Sequence, residues 1–543
     1  MAYIVWPQLI SALGDSPEEL YQALLQKRSG LSGPLHFQGK GRRLGVCHQI
    51  DEHEEFDERY GDARRPMRKP RAFRLLDRLR HKFPSALPKR LYLATTVGAV
   101  DLLENPAHPP CETSLALLDY AKMLFDAQEA LLVASACSSG QRAVCLAADA
   151  VDRGEIPDAL VIGCDQLSEF VASGFASLGA LTHKLPQPYD ASRDGMTLGE
   201  AAAAVIVSSK PATGFCARIA AWSETTDAAH ITAPDLEGTW LAQAIRNALP
   251  GGILPNAIIG HGTGTIYNDQ AELAALHRAL PGPVPLFSLK GNLGHTIGAT
   301  GVLQAIIGTK ILQEKHFPPQ IGLETPAPGA EGYVSLDRRE LPADAHWLLS
   351  LNAGFGGLNN ALLLTDLPDS APRQHRSCQW QEIACAVDDT LENALSTERD
   401  RLVGQGLFTL EDSADFRRAG LAVKHAILAA AKCAQVAGTA WNPNEVTILG
   451  HDGDACLFSN PAYWQDYTAH GRNRGRGTLF VDTLSSIPIC EAAIALRLHG
   501  PAGYLHGLPP ELLRHTCHTP LLLEISATQA HAEAKLLKMM MAW

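Results

Sequence analysis

The first 370 residues alternate short apolar runs with glycine-rich turns and helix-length segments. Residues 131–154 set the pattern. LLVASA reads as a buried strand, CSSG as a tight turn, and QRAVCLAADAVDRG as a helix. Residues 159–163 (ALVIG) and 202–207 (AAAVIV) read as further buried strands. Residues 257–260 read as a strand running into HGTGT, with a helix from about Asp269. Residues 302–312 predict a buried helix, and 347–352 and 360–364 predict strands joined by a glycine turn. Strands alternating with helices imply an α/β fold with largely parallel sheets.

The pattern breaks at 367–376 (LPDSAPRQHR), a polar, proline-containing stretch that reads as a linker. Beyond it the sequence predicts a helix at 417–434, a strand at 446–450, a helix at 488–498 and a strand at 521–526. This tail looks like a partial repeat of the first domain. VTILGHDGDACLFS (446–459) parallels LYLATTVGAVDLLE (91–104), and AIALRLHGPAGYL (493–505) occupies the place of AKMLFDAQEALLV (121–133). The correspondence stops where chemistry begins, because HGLPPE stands where the first copy has ASACSSG. An unrelated α/β appendage is the alternative.

Composition narrows the class. The chain has 543 residues, 46% hydrophobic and 19% charged, which suits one large globular domain and a smaller one. No run approaches the ~20 apolar residues of a membrane span, and the N-terminus has no basic region of a signal peptide. Twelve cysteines without CxxC spacing read as reduced thiols of a cytoplasmic protein. A net charge of −12 argues against nucleic acid as the main partner, and no ligand cluster argues for a metal.

Three residues at strand–helix junctions carry the candidate chemistry. Cys137 stands before Ser138-Ser139-Gly140 at the start of a helix, where unpaired N–H groups and the helix dipole favour a thiolate. His261 heads HGTGT, and His295 closes KGNLGH. Each alone would suit an ordinary core or loop residue, as do Cys145, Cys164 and Cys216. Together, in loops whose glycines let main chain approach a substrate, they form a constellation.

ASACSSG (134–140), YDASRDGMTLGE (189–200), GHGTGTIYNDQAE (260–272), KGNLGHTIGATG (290–301) and NAGFGGLNNALL (352–363) resemble, in order and spacing, the β-ketoacyl synthases of the thiolase-like superfamily. GDSPEELYQALLQKRSGL (14–31) resembles the N-terminal helix of that family. The resemblance implies a thiolase-like five-layered αβαβα fold over residues 1–209 and 210–370, followed by a smaller, non-catalytic α/β domain, 371–543, resembling half of that fold. It implies a synthase that condenses an acyl thioester with malonyl-carrier protein, losing CO2, in fatty-acid or polyketide synthesis, with aryl-polyene-like synthesis the narrower expectation. Cys137 would hold the acyl group. His261 and His295, as neutral donors, would stabilise the enolate. Lys290 would orient the His295 loop and pair with Glu272. The N–H groups of Cys137 and Phe355 would form the oxyanion hole, with Phe355 also gating the pocket. Thr263 and Thr265 would bind the phosphopantetheine arm of acyl carrier protein, and no separate cofactor is implied. The sequence departs from the family in Ala201–Ala204, where glycines are common, in Ala353, where the family usually has Phe before the first turn glycine, and in Leu358, where Thr is common.

A basic stretch at 63–90 stands out against the acidic whole. Arg68, Lys69, Arg71 and Arg74 are candidates for docking an acidic acyl carrier protein, the alternative being a solvated helix face. The tail could act as a fused chain-length-factor-like partner in an intramolecular pseudo-heterodimer, or the first domains could pair as a homodimer. Competing readings are a non-catalytic carrier-protein-binding partner, a thiolase-like coenzyme A-ester enzyme, a decarboxylase that never condenses, and a Cys-His hydrolase.

Overall fold

The computed structural model describes residues 1–33, 42–50, 56–62, 65–104, 112–368, 378–405, 421–438, 446–450, 496–499, 501–507, 521–527 and 532–541. Fifteen described strands make one sheet. They are β1 (Tyr3–Ser11), β2 (Arg90–Ala94), β3 (Glu129–Ala134), β4 (Asp158–Asp165), β5 (Ala201–Ser208), β6 (Cys216–Thr226), β7 (Ala257–Ile259), β8 (Leu286–Phe287), β9 (Trp347–Gly354), β10 (Leu358–Thr365), β11 (Cys378–Asp388), β12 (Val446–Gly450), β13 (Ala502–His506), β14 (Leu521–Ala527) and β15 (Ala532–Met541). The helices that matter are α1 (Pro17–Leu25), α2 (Arg71–Arg80), α3 (Ser139–Asp152), α4 (Glu169–Ser177), α5 (Thr239–Ala248), α6 (Ile266–Ala279), α7 (Thr300–Glu314) and α8 (Leu421–Ala437).

Five layers follow from how these pack. α2 lies on β1, β4 and β5. On the opposite face, α3 and α7 pack against each other and touch both the β1–β5 strands and the pair β9 and β10. α5 and α6 pack together, with α5 covering the far side of β6 and β10. The central helices are close because glycine leaves room: a Cβ on Gly301 would sit 2.1 Å from the nitrogen of Gln141. Their burial is nearly complete, which explains the uninterrupted apolar character of 302–312. The sheet is mixed. β2 lies parallel to β3 and β4, and β7 parallel to β8 and β9, but β5 is antiparallel to both β1 and β4, so the expectation of largely parallel sheets holds only in part.

The tail repeats this order in mirror image. Reading across the sheet, β1-β5-β4-β2-β3 is followed by β13-β12-β14-β15-β11. Every pairing matches in direction: β11 and β15 are antiparallel like β1 and β5, and β15 and β14 antiparallel like β5 and β4. β14 and β12, and β12 and β13, are parallel like β4, β2 and β3. The two sets meet where β3 pairs antiparallel with β13. α8 packs on β11, β15 and β14 as α2 packs on β1, β5 and β4.

Several sequence expectations shift at their edges. The helix expected from about Asp269 begins at Ile266, and the helix expected at 417–434 is seen from Leu421, its first residues lying outside the described ones. Most of the expected linker and of the helix at 488–498 also lies outside them. β11 and β15 were not anticipated. β15, AEAKLLKMMM, is composed of helix-favouring residues, yet it is strand because β14 and β11 take up its main chain on both sides.

Candidate active site

Cys137 stands three residues beyond the end of β3, on a turn that the chain holds under strain. Ala136 has a φ of +46°, a left-handed conformation uncommon for any residue but glycine. Hydroxyl groups hold the turn: Ser138 Oγ donates to Ser135 O (2.7 Å), and Ser139 Oγ (2.6 Å) and Thr96 Oγ1 (2.9 Å) donate to Ala136 O. Gly354 lies against it, and a Cβ there would be 3.0 Å from Ser135 O. The thiol is 5% exposed. Burial pushes its pKa up to about 12, against the opposing pull of Lys290 and of the N–H groups of Phe355 and Cys137. Burial thus opposes the thiolate that the helix start favours.

His261 and His295 face each other edge to face, ring centroids 5.6 Å apart. Nδ1 of His295 accepts the N–H of Ile297 at 3.2 Å, and Nδ1 of His261 accepts the N–H of Ala353 at 3.1 Å. A main-chain N–H can only donate, so in each neutral ring the proton is on Nε2. Burial lowers both pKa values well below the ordinary value, with Lys290 adding to the effect. Both rings are thus neutral Nε2–H donors.

Lys290 is 1% exposed. Its Nζ donates to the carbonyl of His261 and stands 3.3 Å from Nδ1 of the same ring. The direct pairing with Glu272 is therefore replaced by a bond to the His261 loop, and Glu272 acts on the ammonium only through space. Glu272 instead accepts the N–H groups of His261 (2.6 Å) and Gly262 (2.8 Å) and the hydroxyl of Tyr189 (2.9 Å). Asp269, one turn earlier on α6, accepts the N–H groups of Thr263 (2.9 Å) and Gly264 (3.2 Å). These two carboxylates, at i and i+3, hold the HGTGT loop. The sequence reading missed Asp269, although the spacing of D-x-x-E at a helix start signals it.

It also missed Asp165. This carboxylate accepts the hydroxyl of Thr95 (2.6 Å) and the N–H groups of Thr96 (3.0 Å), Val97 (3.1 Å) and Gly298 (2.6 Å). It ties the support of the Cys137 turn to the loop after His295.

Cys137, His261, His295, Thr263, Thr265 and Phe355 line one cavity of about 390 Å³. Thr263 and Thr265 stand together there, their hydroxyls 2.9 Å apart. The ring of Phe355 stacks on Phe175 of α4 at 5.7 Å. Among the described residues no cluster of acidic, histidine or cysteine side chains could hold a metal ion.

The basic candidates are not gathered there. Arg71 is 2% exposed and bonds Glu200 through Nε (2.7 Å) and Nη2 (2.5 Å), which corrects its assignment to a docking face. Lys69 pairs with Asp77, and Arg74 donates to the carbonyl of Ile50 at 2.9 Å. The side chain of Arg68 lies outside the described ones.

Residues 129–212 match the family described as Beta-ketoacyl synthase, N-terminal domain, and residues 216–324 match its C-terminal domain. Residues 129–212 and 216–324 are thus similar to the two halves of β-ketoacyl synthases. It is 30% identical over 258 residues to 3-oxoacyl-[acyl-carrier-protein] synthase 2 of Coxiella burnetii, covering 44% of this chain and 62% of that one. It is 30% identical over 246 residues to the enzyme of the same name from Mycobacterium leprae, covering 42% and 58%. The matches thus span about three fifths of these relatives' own lengths. The solved PfaC Keto synthase-Chain length factor superposes on 99% of this chain and 78% of its own with a TM-score of 0.75, at 14% identity, a likeness of fold. Among the described residues no helix is long and apolar enough to cross a membrane.

Proposed function

We propose that this chain is a β-ketoacyl synthase, which transfers an acyl group from carrier-protein thioester to Cys137 and extends it with malonyl-carrier protein, in fatty-acid or polyketide synthesis. The observation that carries the reading is the pair of Nε2–H donors beside a buried thiol in one cavity. In the first step the sulfur of Cys137 displaces the carrier thiol, which takes up the proton. In the second, malonyl loses CO2, and the electron pair moves into an enolate whose oxygen accepts the two imidazole N–H groups. The enolate carbon attacks the Cys137 thioester, and the sulfur leaves and is reprotonated. The N–H groups of Cys137 and Phe355, both acting on the sulfur, suit the oxyanion of the acyl-transfer steps. Thr263 and Thr265 suit the phosphopantetheine arm, and Phe355 the gate.

The tail, residues 371–543, takes the place that a second, chain-length-factor-like subunit would fill. The mirrored strand order supports this. So does the apolar cluster around Cys137, which includes Val100, Phe170 and Phe175 and is continuous with Ala426, Leu498 and Leu523 of the tail.

The test is incubation of the full chain with acyl- and malonyl-carrier protein, followed by intact mass and CO2 release, beside Cys137→Ala. Enzyme acylation and a two-carbon-longer β-ketoacyl product, both lost in the variant, are expected. Failure of acylation with every chain length tried would sink the reading and favour a non-catalytic binding role.

A further inference from the structure

The tail touches the catalytic half at a second place, away from the β3–β13 junction. The carbonyl of His499 accepts the N–H of Thr226 at 3.1 Å. Its Nδ1 stands 3.1 Å from the carbonyl of Thr226, so that nitrogen carries the proton and donates. Its ring lies flat on Trp240, centroids 3.8 Å apart and planes 7° from parallel. One tail residue thus engages both main-chain groups of Thr226.

Thr226 is the last residue of β6, and the chain runs from it into the wall of the Cys137 cavity. The N–H of Asp227 donates to Gly357 O at 2.8 Å. Its carboxylate accepts the amide of Asn359 at 2.6 Å and the N–H of Asp235 at 2.9 Å. The N–H of Gly356 donates to Ile231 O at 2.6 Å. Wall segment 227–235 and the turn carrying Phe355 therefore form one hydrogen-bonded unit.

We propose that His499 is a positioning residue through which the tail sets the aperture of the Cys137 cavity: it pins Thr226, the fixed end of the unit formed by the wall and the Phe355 turn. The inference rests on the reading of that cavity as the substrate site. Two features of histidine matter, a donor at Nδ1 and a flat face, and they can be separated. His499→Phe keeps the stack and loses the donor. His499→Asn keeps an N–H donor at nearly the Nδ1 position and loses the stack. His499→Ala loses both.

Each variant of the full chain would be treated with iodoacetamide and its cysteines mapped by mass, and kcat and KM for acyl-carrier protein would be measured alongside. His499→Phe and His499→Ala should speed alkylation of Cys137 about fivefold, the change one hydrogen bond makes in a local equilibrium. KM should rise more than kcat falls, and His499→Asn should return both towards the parent. Alkylation spreading to buried Cys145 and Cys164 would mean general loosening and would overturn the proposal, as would Cys137 rates equal to the parent's in all three variants. A parent that never condenses, beside variants that open as described, would overturn the proposed function and leave the aperture result standing.

Discussion

Val133 of β3 and Leu505 of β13 face each other across the junction of the two halves. Aligned by sequence, 493–505 on 121–133, they are also equivalent residues. Their neighbours are exchanged reciprocally: Ala134 opposes Tyr504, the equivalent of Leu132, and Leu132 opposes His506, the equivalent of Ala134. Equivalent residues opposed across an antiparallel pair are what a two-fold axis produces, here within one chain. The edge of β3 is thereby occupied, so light scattering should give the mass of a single chain. A two-chain mass held by the first halves would end the pseudo-heterodimer reading. Leu505 is fully buried, and Leu505→Lys should cost about 3 kcal/mol or more in urea unfolding, because an ammonium would enter the sheet unpaired.

The imidazoles make a sharper test. Each Nδ1 is occupied by a main-chain N–H, so only Nε2–H is available to substrate. A glutamine amide can place an N–H near that position. His295→Ala should slow malonyl decarboxylation about 10²–10³-fold, the usual effect of removing one such donor, and His295→Gln should recover part of the loss. Equal rates for the two variants would show that donation from Nε2 is not what His295 contributes.

These relationships were unequally legible in the sequence. The nucleophile and both histidines could be read because each lies in a short motif whose glycines and small residues act locally. The tail's repeat could be glimpsed because β12 and β13 keep the apolar runs of β2 and β3. The bond from Lys290 to the carbonyl of His261 was not legible because its acceptor lies 29 residues away and depends on how two loops meet. The burial of Cys137 is hidden in the sequence for a related reason: a helix start is visible there, but burial is set by the whole fold. Asp165 gave no signal beyond a polar residue ending a strand, and β15 had the composition of a helix.

Burial also fixes how Cys137 should respond to pH. Its pKa is raised to about 12, so at lower pH the thiolate is the minor form and its fraction grows tenfold per pH unit. Alkylation of the resting enzyme should therefore climb with unit slope through pH 9, where an ordinary thiol would already be levelling. A plateau near pH 7 would mean that the dipole and Lys290 prevail over desolvation after all.

Arg71 separates a structural cation from a docking one. Its guanidinium grips both oxygens of Glu200, and that carboxylate also accepts the N–H groups of Cys47 (2.8 Å) and Leu167 (3.1 Å). Removing the guanidinium would leave a fully buried charge without its counter-ion, which costs about 3–5 kcal/mol. Arg71→Ala should show that loss in denaturant unfolding, while KM for carrier protein, measured on the folded fraction at low temperature, stays unchanged. A docking arginine would do the reverse, leaving unfolding alone and raising KM in a salt-dependent way. The second pattern would return Arg71 to the carrier-binding face and require the pair with Glu200 to open in solution.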